Sequence, residues 1–236
     1  MRLSTPIYRL KRQAKLLSRE RGIALNEALD MVARQGGFRS WDHLSFAARS
    51  DPAPRVFREL PAGEMLLLGA RPGHGKTLLG LELAMAAARA GWRSYFFSLE
   101  YTEADIRKRL ASLGLGETTR AAALTIDTSD EISGDHVVER LRREPGRAFA
   151  VIDYLQLLDQ KRSKPDLGAQ LQTLGDHVRS SGSIVVALSQ IDRAFELGDR
   201  RMPGLADIRL PNPADLRLFA RACFLHEGEL ELTSVG

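Results

Sequence analysis

Eight residues, Ala70-Arg71-Pro72-Gly73-His74-Gly75-Lys76-Thr77, have the types and spacing of a loop that cradles phosphates, with Ala where the pattern usually opens on Gly. The chemistry is electrostatic. Backbone N–H groups of such a turn point at an anion, and the N-terminus of the following helix adds the positive end of its dipole. Lys76 can reach the β- and γ-phosphates of a nucleoside triphosphate, and the Thr77 hydroxyl can ligate Mg2+. The rival reading is a chance glycine-bearing turn ahead of an amphipathic helix, and the flanks argue against it. Residues 64–69 are a short apolar run of strand type, and residues 78–90 are rich in Leu and Ala with no internal Pro.

Three more polar residues close apolar runs. Glu100 ends Phe96-Phe97-Ser98-Leu99-Glu100. A carboxylate there can orient or deprotonate a water for attack on a γ-phosphate, or simply supply negative charge to the start of the helix from Thr102. Asp153 ends Ala148-Phe149-Ala150-Val151-Ile152-Asp153, the form that holds Mg2+ opposite a phosphate loop. Gln190 ends Ile184-Val185-Val186-Ala187-Leu188-Ser189-Gln190. Its amide can touch the γ-phosphate and relay nucleotide state into the next segment, or be no more than a polar strand end.

These residues need elements to position them. From Arg55 onward strands near 64–69, 93–98, 123–127, 148–153 and 183–189 alternate with helices near 76–90, 102–113, 134–144 and 166–181. That order predicts an α/β fold with a mostly parallel sheet covered on both faces, and ligands at the carboxyl ends of the strands. Residues 191–212 read as a long mobile loop, Asn212-Pro213 as the start of a short helix to Phe219, and 222–225 and 229–233 as two terminal strands around a Glu227-Gly228 turn.

Upstream, three short helices are expected. The first covers 4–21, capped by Ser4 or Thr5, with Ile7, Leu10, Ala14 and Leu17 on one face and Arg9, Lys11, Arg12, Lys15 and Arg19 on the other; Gly22 ends it. The second carries Leu25, Ala28, Leu29 and Val32 and stops at Gly36-Gly37. Ser40 caps the third, which holds Trp41, Leu44 and Ala47; Trp41 and Phe38 are expected in the core. The chain thus divides into a basic helical segment (1–50), a linker with Pro52 and Pro54 (51–55) and a main domain (56–236).

Charge is unevenly placed. Residues 1–55 hold 11 Lys and Arg against 5 Asp and Glu, a net of +6, whereas the whole chain is +4, leaving −2 for the rest. Arg12, Lys15 and Arg19 can therefore touch nucleic-acid phosphates, or form a solvated basic face. No apolar run approaches the ~20 residues of a membrane span, so no membrane association is expected. The single cysteine, Cys223, excludes an internal disulfide, and its apolar neighbours predict a buried thiol. The setting expected is cytoplasmic.

Four segments in order, Ala-Arg-Pro-x-x-Gly-Lys-Thr (70–77), Phe-Ser-Leu-Glu (97–100), Ile-Asp-Tyr-Leu-Gln-Leu (152–157) and Val-Ala-Leu-Ser-Gln (186–190), resemble the RecA-fold ATPase domain of DnaB-type replicative helicases. The resemblance covers roughly residues 56–230. It implies a P-loop NTPase that uses ATP and Mg2+ and acts on single-stranded DNA in replication or recombination, as a homo-oligomeric ring or filament. Carried over position by position, residues 70–77 bind the nucleotide, Thr77 and Asp153 hold Mg2+, Glu100 resembles the catalytic glutamate and Gln190 the γ-phosphate sensor. Segments 159–166 and 191–210 correspond to the channel loops that contact DNA, and hold Lys161, Arg162, Lys164, Arg193, Arg200 and Arg201. Two departures stand out. The basic segment 1–50 takes the place of the family's collar domain, and nothing matches the basic segment that supplies an arginine finger. They leave a second function class open: an ATP-gated nucleic-acid-binding or regulatory module with weak hydrolysis and no unwinding of its own.

Overall fold

A computed structural model describes residues 7–35, 40–48, 52–113, 115, 124–143, 145–159, 164–210, 212–226 and 229–235. Seven strands form one sheet: β1 (Met65–Ala70), β2 (Arg93–Ser98), β3 (Leu124–Asp127), β4 (Ala148–Asp153), β5 (Ile184–Gln190), β6 (Arg221–His226) and β7 (Glu229–Ser234). Their spatial order is β3-β2-β4-β5-β1-β6-β7, and every pairing is parallel except the terminal β6/β7 hairpin. The helices are α1 (Ile7–Arg21), α2 (Leu25–Gln35), α3 (Trp41–Ala48), α4 (Pro52–Glu59), α5 (Lys76–Arg89), α6 (Glu103–Ser112), α7 (Gly134–Arg142) and α8 (Leu167–Ser181).

The period of two explains the layering. In β1, Leu66 and Leu68 face a core shared with Val56 of α4, Leu79 and Leu83 of α5, and Ile106 of α6. Met65 and Leu67 face the opposite core, with Val137 of α7 and Leu171 and Leu174 of α8. Burial on both faces is why β1 and β4 read as unbroken apolar runs rather than alternating ones. One glycine is required by closeness: a Cβ on Gly80 of α5 would lie 3.1 Å from side-chain atoms of Leu188 and Val151, so α5 can press onto the sheet only without it. Caps set the helix ends. Thr102 and Asp105 form a reciprocal capping box on α6, and Asp166 accepts from the Ala169 N–H at the start of α8.

Three expectations are corrected. The linker at 51–55 is instead largely helix: Pro52 sits in the first turn of α4, where its missing N–H costs nothing, and Ala53 and Val56 are buried against the domain. The stretch 191–212 is folded back on the sheet rather than open. Ile191 bridges Ile208, the Asp192 N–H donates to the Asp207 carbonyl at 2.7 Å, and Phe195 is buried. The helix expected from Asn212-Pro213 shrinks to one 3-10 turn at Leu216–Leu218, capped by the Asp215 carboxylate and buried at no position. The Ser4 and Thr5 caps, the Gly36-Gly37 stop, Phe38 and the Glu227-Gly228 turn lie outside the described residues.

The upstream helices form a small unit. Ala14 of α1 and Ala28 and Val32 of α2 are buried together, with Leu10, Leu17, Leu29 and Trp41 packed on them. Gly22 turns the chain with φ of 63°, a conformation L side chains rarely adopt. The Trp41 N–H donates to Asp30 at 2.7 Å and pins α3 to α2.

Candidate active site

The site is built at the carboxyl edge of the sheet, where β1, β2, β4 and β5 end. Beyond β1 the chain turns through residues 71–75 with Gly73 and Gly75 at φ of 79° and 90°, then enters α5 at Lys76. Left-handed glycines let successive N–H groups converge on one point, the geometry of an anion nest. Lys76 is buried, and its ammonium lies 3.2 Å from Asp153 and 3.5 Å from Glu100. It also sits over the Tyr154 ring, 4.6 Å from the centroid. Thr77 is buried beside it in the first turn of α5.

Each carboxylate is placed by the sheet. Ser98 pairs in register with Asp153, and the Leu99 N–H donates to the Asp153 carbonyl at 3.1 Å, so the ends of β2 and β4 are stitched together. The buried Ser98 hydroxyl accepts from the N–H groups of Glu100 and Tyr101, which fixes the turn that presents Glu100. Glu100 remains 34% exposed while Asp153 is fully buried. Burial pushes the Asp153 carboxyl up, against the pull of the Lys76 charge. Burial, and then a hydrogen bond to Glu100, pushes the Tyr101 hydroxyl up to about 12. Gln190 pairs in register with Ala70, which puts it beside the phosphate loop.

Some of the wiring has no local sequence signal. Arg71 donates to Glu196 at 3.0 Å and to the Ile191 carbonyl at 2.9 Å, tying the phosphate loop to the segment after β5. The two partners are 125 positions apart, beyond any periodicity. His74 stacks on His226 of β6 at 5.2 Å, and Phe195 meets the same ring edge-on at 5.1 Å. Gln156 is buried behind Gln190: its amide nitrogen donates to Ser189 at 2.8 Å and to the Arg209 carbonyl, and its oxygen accepts from the Gln190 N–H. Gln156 and Tyr154 lie within the apolar-Asp-Tyr segment at 152–157, so their neighbourhood, though not their bonding, is visible in the sequence.

Several of the residues expected to meet nucleic acid are engaged within the chain. Arg200 pairs with Asp207 and lies 5.4 Å from the Phe195 ring, and Arg201 pairs with Glu229. Lys164 donates to the carbonyls of Asp130 and Ile132 at 2.9 and 2.6 Å. Arg193 is exposed, as are Arg12, Lys15 and Arg19 along α1. Lys161 and Arg162 lie outside the described residues.

Does the donor set fit nucleotide and Mg2+? Asp153 Oδ2 is buried with no hydrogen-bond partner among the described residues, and Thr77 stands at the adjacent helix start. One orphaned carboxylate oxygen and one hydroxyl suit a cation that keeps most of its shell for phosphate and water. No group of three or more protein carboxylates, histidines or cysteines suited to a metal occurs among the described residues.

A parallel sheet with a phosphate loop between β1 and α5, and carboxylates at the ends of the two strands beyond it, defines a RecA-like P-loop ATPase domain. The chain belongs to the family of DnaB-like helicase C-terminal domains, whose family model matches residues 55–117 and 114–213. It is 29% identical over 183 residues to the replicative DNA helicase DnaB of Leifsonia xyli subsp. xyli, a match covering 63% of this chain and 39% of that one. It is 26% identical over 177 residues to the DnaB of Geobacillus stearothermophilus, covering 61% and 39%. The chain thus spans well under half the length of these relatives. A solved ATPase domain superposes with a TM-score of 0.61 at 21% identity, covering 74% of this chain and 76% of that one. A DnaB-like replicative helicase, solved in a study of its interactions with primase, gives 0.60 at 14% identity, covering 97% and 72%. No helix among the described residues is long and apolar enough to cross a membrane.

Proposed function

We propose that this domain binds ATP with Mg2+ and hydrolyses it in step with single-stranded DNA, as a ring or filament of copies of itself. The observation that carries the reading is the Lys76 ammonium held between Asp153 and Glu100 at the mouth of the phosphate loop. An ammonium so placed balances two carboxylates; when a triphosphate arrives it can turn to the β- and γ-phosphates. That frees Asp153 and Thr77 to hold Mg2+, which when bound neutralises charge on the phosphates. Glu100, the more exposed carboxylate, is the base: it orients the attacking water and takes its proton. Gln190, braced by Gln156, senses the γ-phosphate, and the Arg71–Glu196 link carries the change to the segment after β5.

The test is ATP turnover with and without single-stranded DNA, beside strand displacement on a forked duplex. DNA-stimulated turnover with displacement supports a helicase domain; no turnover under any condition overturns the enzymatic reading. One observation favours the second reading, an ATP-gated module without autonomous unwinding: Lys164, Arg200 and Arg201 are all engaged within the chain. DNA binding that switches with ATP, without displacement, is the outcome that reading requires.

A further inference from the structure

A cavity of about 930 Å³ lies between the α1–α3 unit and the phosphate loop. One wall is the loop from Pro72 to Gly75, continued by Leu78 of α5; Leu225 and Leu230 of the last two strands also line it. The facing wall comes from the helical unit and includes Lys11, Lys15, Leu25, Leu29 and Trp41. Lys76, Glu100 and Asp153 are not in the lining, so the cavity borders the phosphate site without containing its chemistry.

A nucleotide whose phosphates sit on the N–H groups of this loop must leave its base and ribose somewhere beside it. The cavity adjoins the same four loop residues, and its size falls within the ~300–1,000 Å³ typical of small-molecule sites. Its walls mix an indole and aliphatic side chains with a few charged groups, Lys11, Lys15 and Arg55 against Asp30 and Asp42. That is a surface for a flat aromatic ring with polar edges. Leu25 makes the same point: it lies on the apolar side of α2, lines the cavity and stays 43% exposed.

We propose that this cavity takes the purine base and ribose of the bound nucleotide, so that α1–α3 form the outer wall of the nucleotide site rather than a separate DNA-binding appendage. The inference rests on the phosphate-loop reading above and replaces the sequence expectation that Pro52 and Pro54 set the first fifty residues apart from that loop.

The experiment uses the full chain and two probes, ATP and inorganic tripolyphosphate, which shares the phosphates and lacks the base. Trp92→Phe leaves Trp41 as the sole tryptophan of the two. ATP is expected to change its emission and tripolyphosphate to leave it unmoved. Asn26 is exposed and lines the cavity, so Asn26→Trp, read by calorimetry, fills the space without touching a core. It is expected to weaken ATP about tenfold by excluding the base from that space, with tripolyphosphate unchanged. Unmoved Trp41 emission together with unchanged ATP affinity in Asn26→Trp overturns the proposal. So does an equal loss for both probes, which makes the helical unit a mere support for the loop. Lys76→Ala separates the two levels: if that variant binds both probes as wild type does, the phosphate-loop reading has failed, not only the base site.

Discussion

At the scale of single residues, the site is a balance of one ammonium against two carboxylates in different surroundings. Lys76 is buried, so its removal does more than delete a charge from the phosphates. Lys76→Ala is expected to weaken ATP binding about 10- to 100-fold, the range of one or two charge-assisted hydrogen bonds. The fold is expected to survive, because Lys76 belongs to neither apolar core of the sheet. Calorimetric titration with ATP and a far-ultraviolet dichroism spectrum of the same sample check both halves. Glu100→Gln keeps the shape of the turn on Ser98 and removes the carboxylate proposed as the base. ATP should still bind while turnover falls by about 10²-fold or more. Turnover equal to wild type would reduce Glu100 to a charge at the start of α6. Cys223 offers no chemistry here: it is buried, and burial pushes its thiol up to about 12.

At the scale of elements, side-chain pairs tie distant pieces of the fold together. Arg71 and Glu196 join the phosphate loop to the segment after β5, so Arg71→Ala and Glu196→Ala should act as one lesion. The double mutant's loss of DNA-stimulated turnover is expected to be smaller than the product of the single losses, by about two- to fivefold; multiplicative losses would mean the link carries nothing. At the far edge of the sheet, Asp127 of β3 binds His136 and Arg140 of α7 at 3.0 and 3.2 Å. Burial pushes the Asp127 carboxyl up, but these partners and the Ser129 N–H hold it net below the usual range. A carboxyl lowered by folding stabilises fully above its unfolded value of ~3.9, and that stability is lost as pH falls through the folded value. Asp127→Asn should cost about 1 kcal/mol at neutral pH in urea denaturation, with the two proteins converging below pH ~4. Most of this architecture was legible in advance. Strands buried on both faces announce themselves as apolar runs, and Lys76, Glu100, Asp153 and Gln190 stand where those runs meet the ligand edge of the sheet. What escaped was whatever depends on chain ends meeting across the fold. The Arg71–Glu196 pair, the His74–His226 stack and the packing of 191–210 join positions no period connects. Pro52 and Pro54 misled because proline marks a linker and a helix start with the same letter.

At the scale of the whole molecule, charge and shape point in different directions. The basic excess sits in the first 55 residues, yet the helical unit that carries it leans over the phosphate loop. Lys15 borders that cavity, whereas Arg12 and Arg19 are exposed and absent from its lining. Arg12→Glu with Arg19→Glu therefore tests DNA binding by α1 without entering the cavity. If the helix meets a single strand, affinity in low salt should fall, and the slope of log affinity against log salt should flatten by ~0.7 for each phosphate no longer neutralised. The loop arginines are tested by Arg200→Gln with Arg201→Gln, which removes charge without setting a new carboxylate beside the buried Asp207. To hold DNA these two must trade Asp207 and Glu229 for phosphates. The Arg201–Glu229 pair is exposed and worth only ~0–1 kcal/mol, so that trade is easy and counterion release favours it, whereas Arg200 must leave the buried Asp207 without its partner, which costs more. The loop pair should weaken single-strand binding and also cut DNA stimulation of ATP turnover, because their segment is bonded to Arg71 and to the Ala70 carbonyl. The α1 pair should weaken binding and leave maximal stimulation at saturating DNA intact. Should both pairs leave affinity and salt slope untouched, the domain's ATPase is not coupled to DNA through either surface, and the ATP-gated regulatory module becomes the better account of this chain.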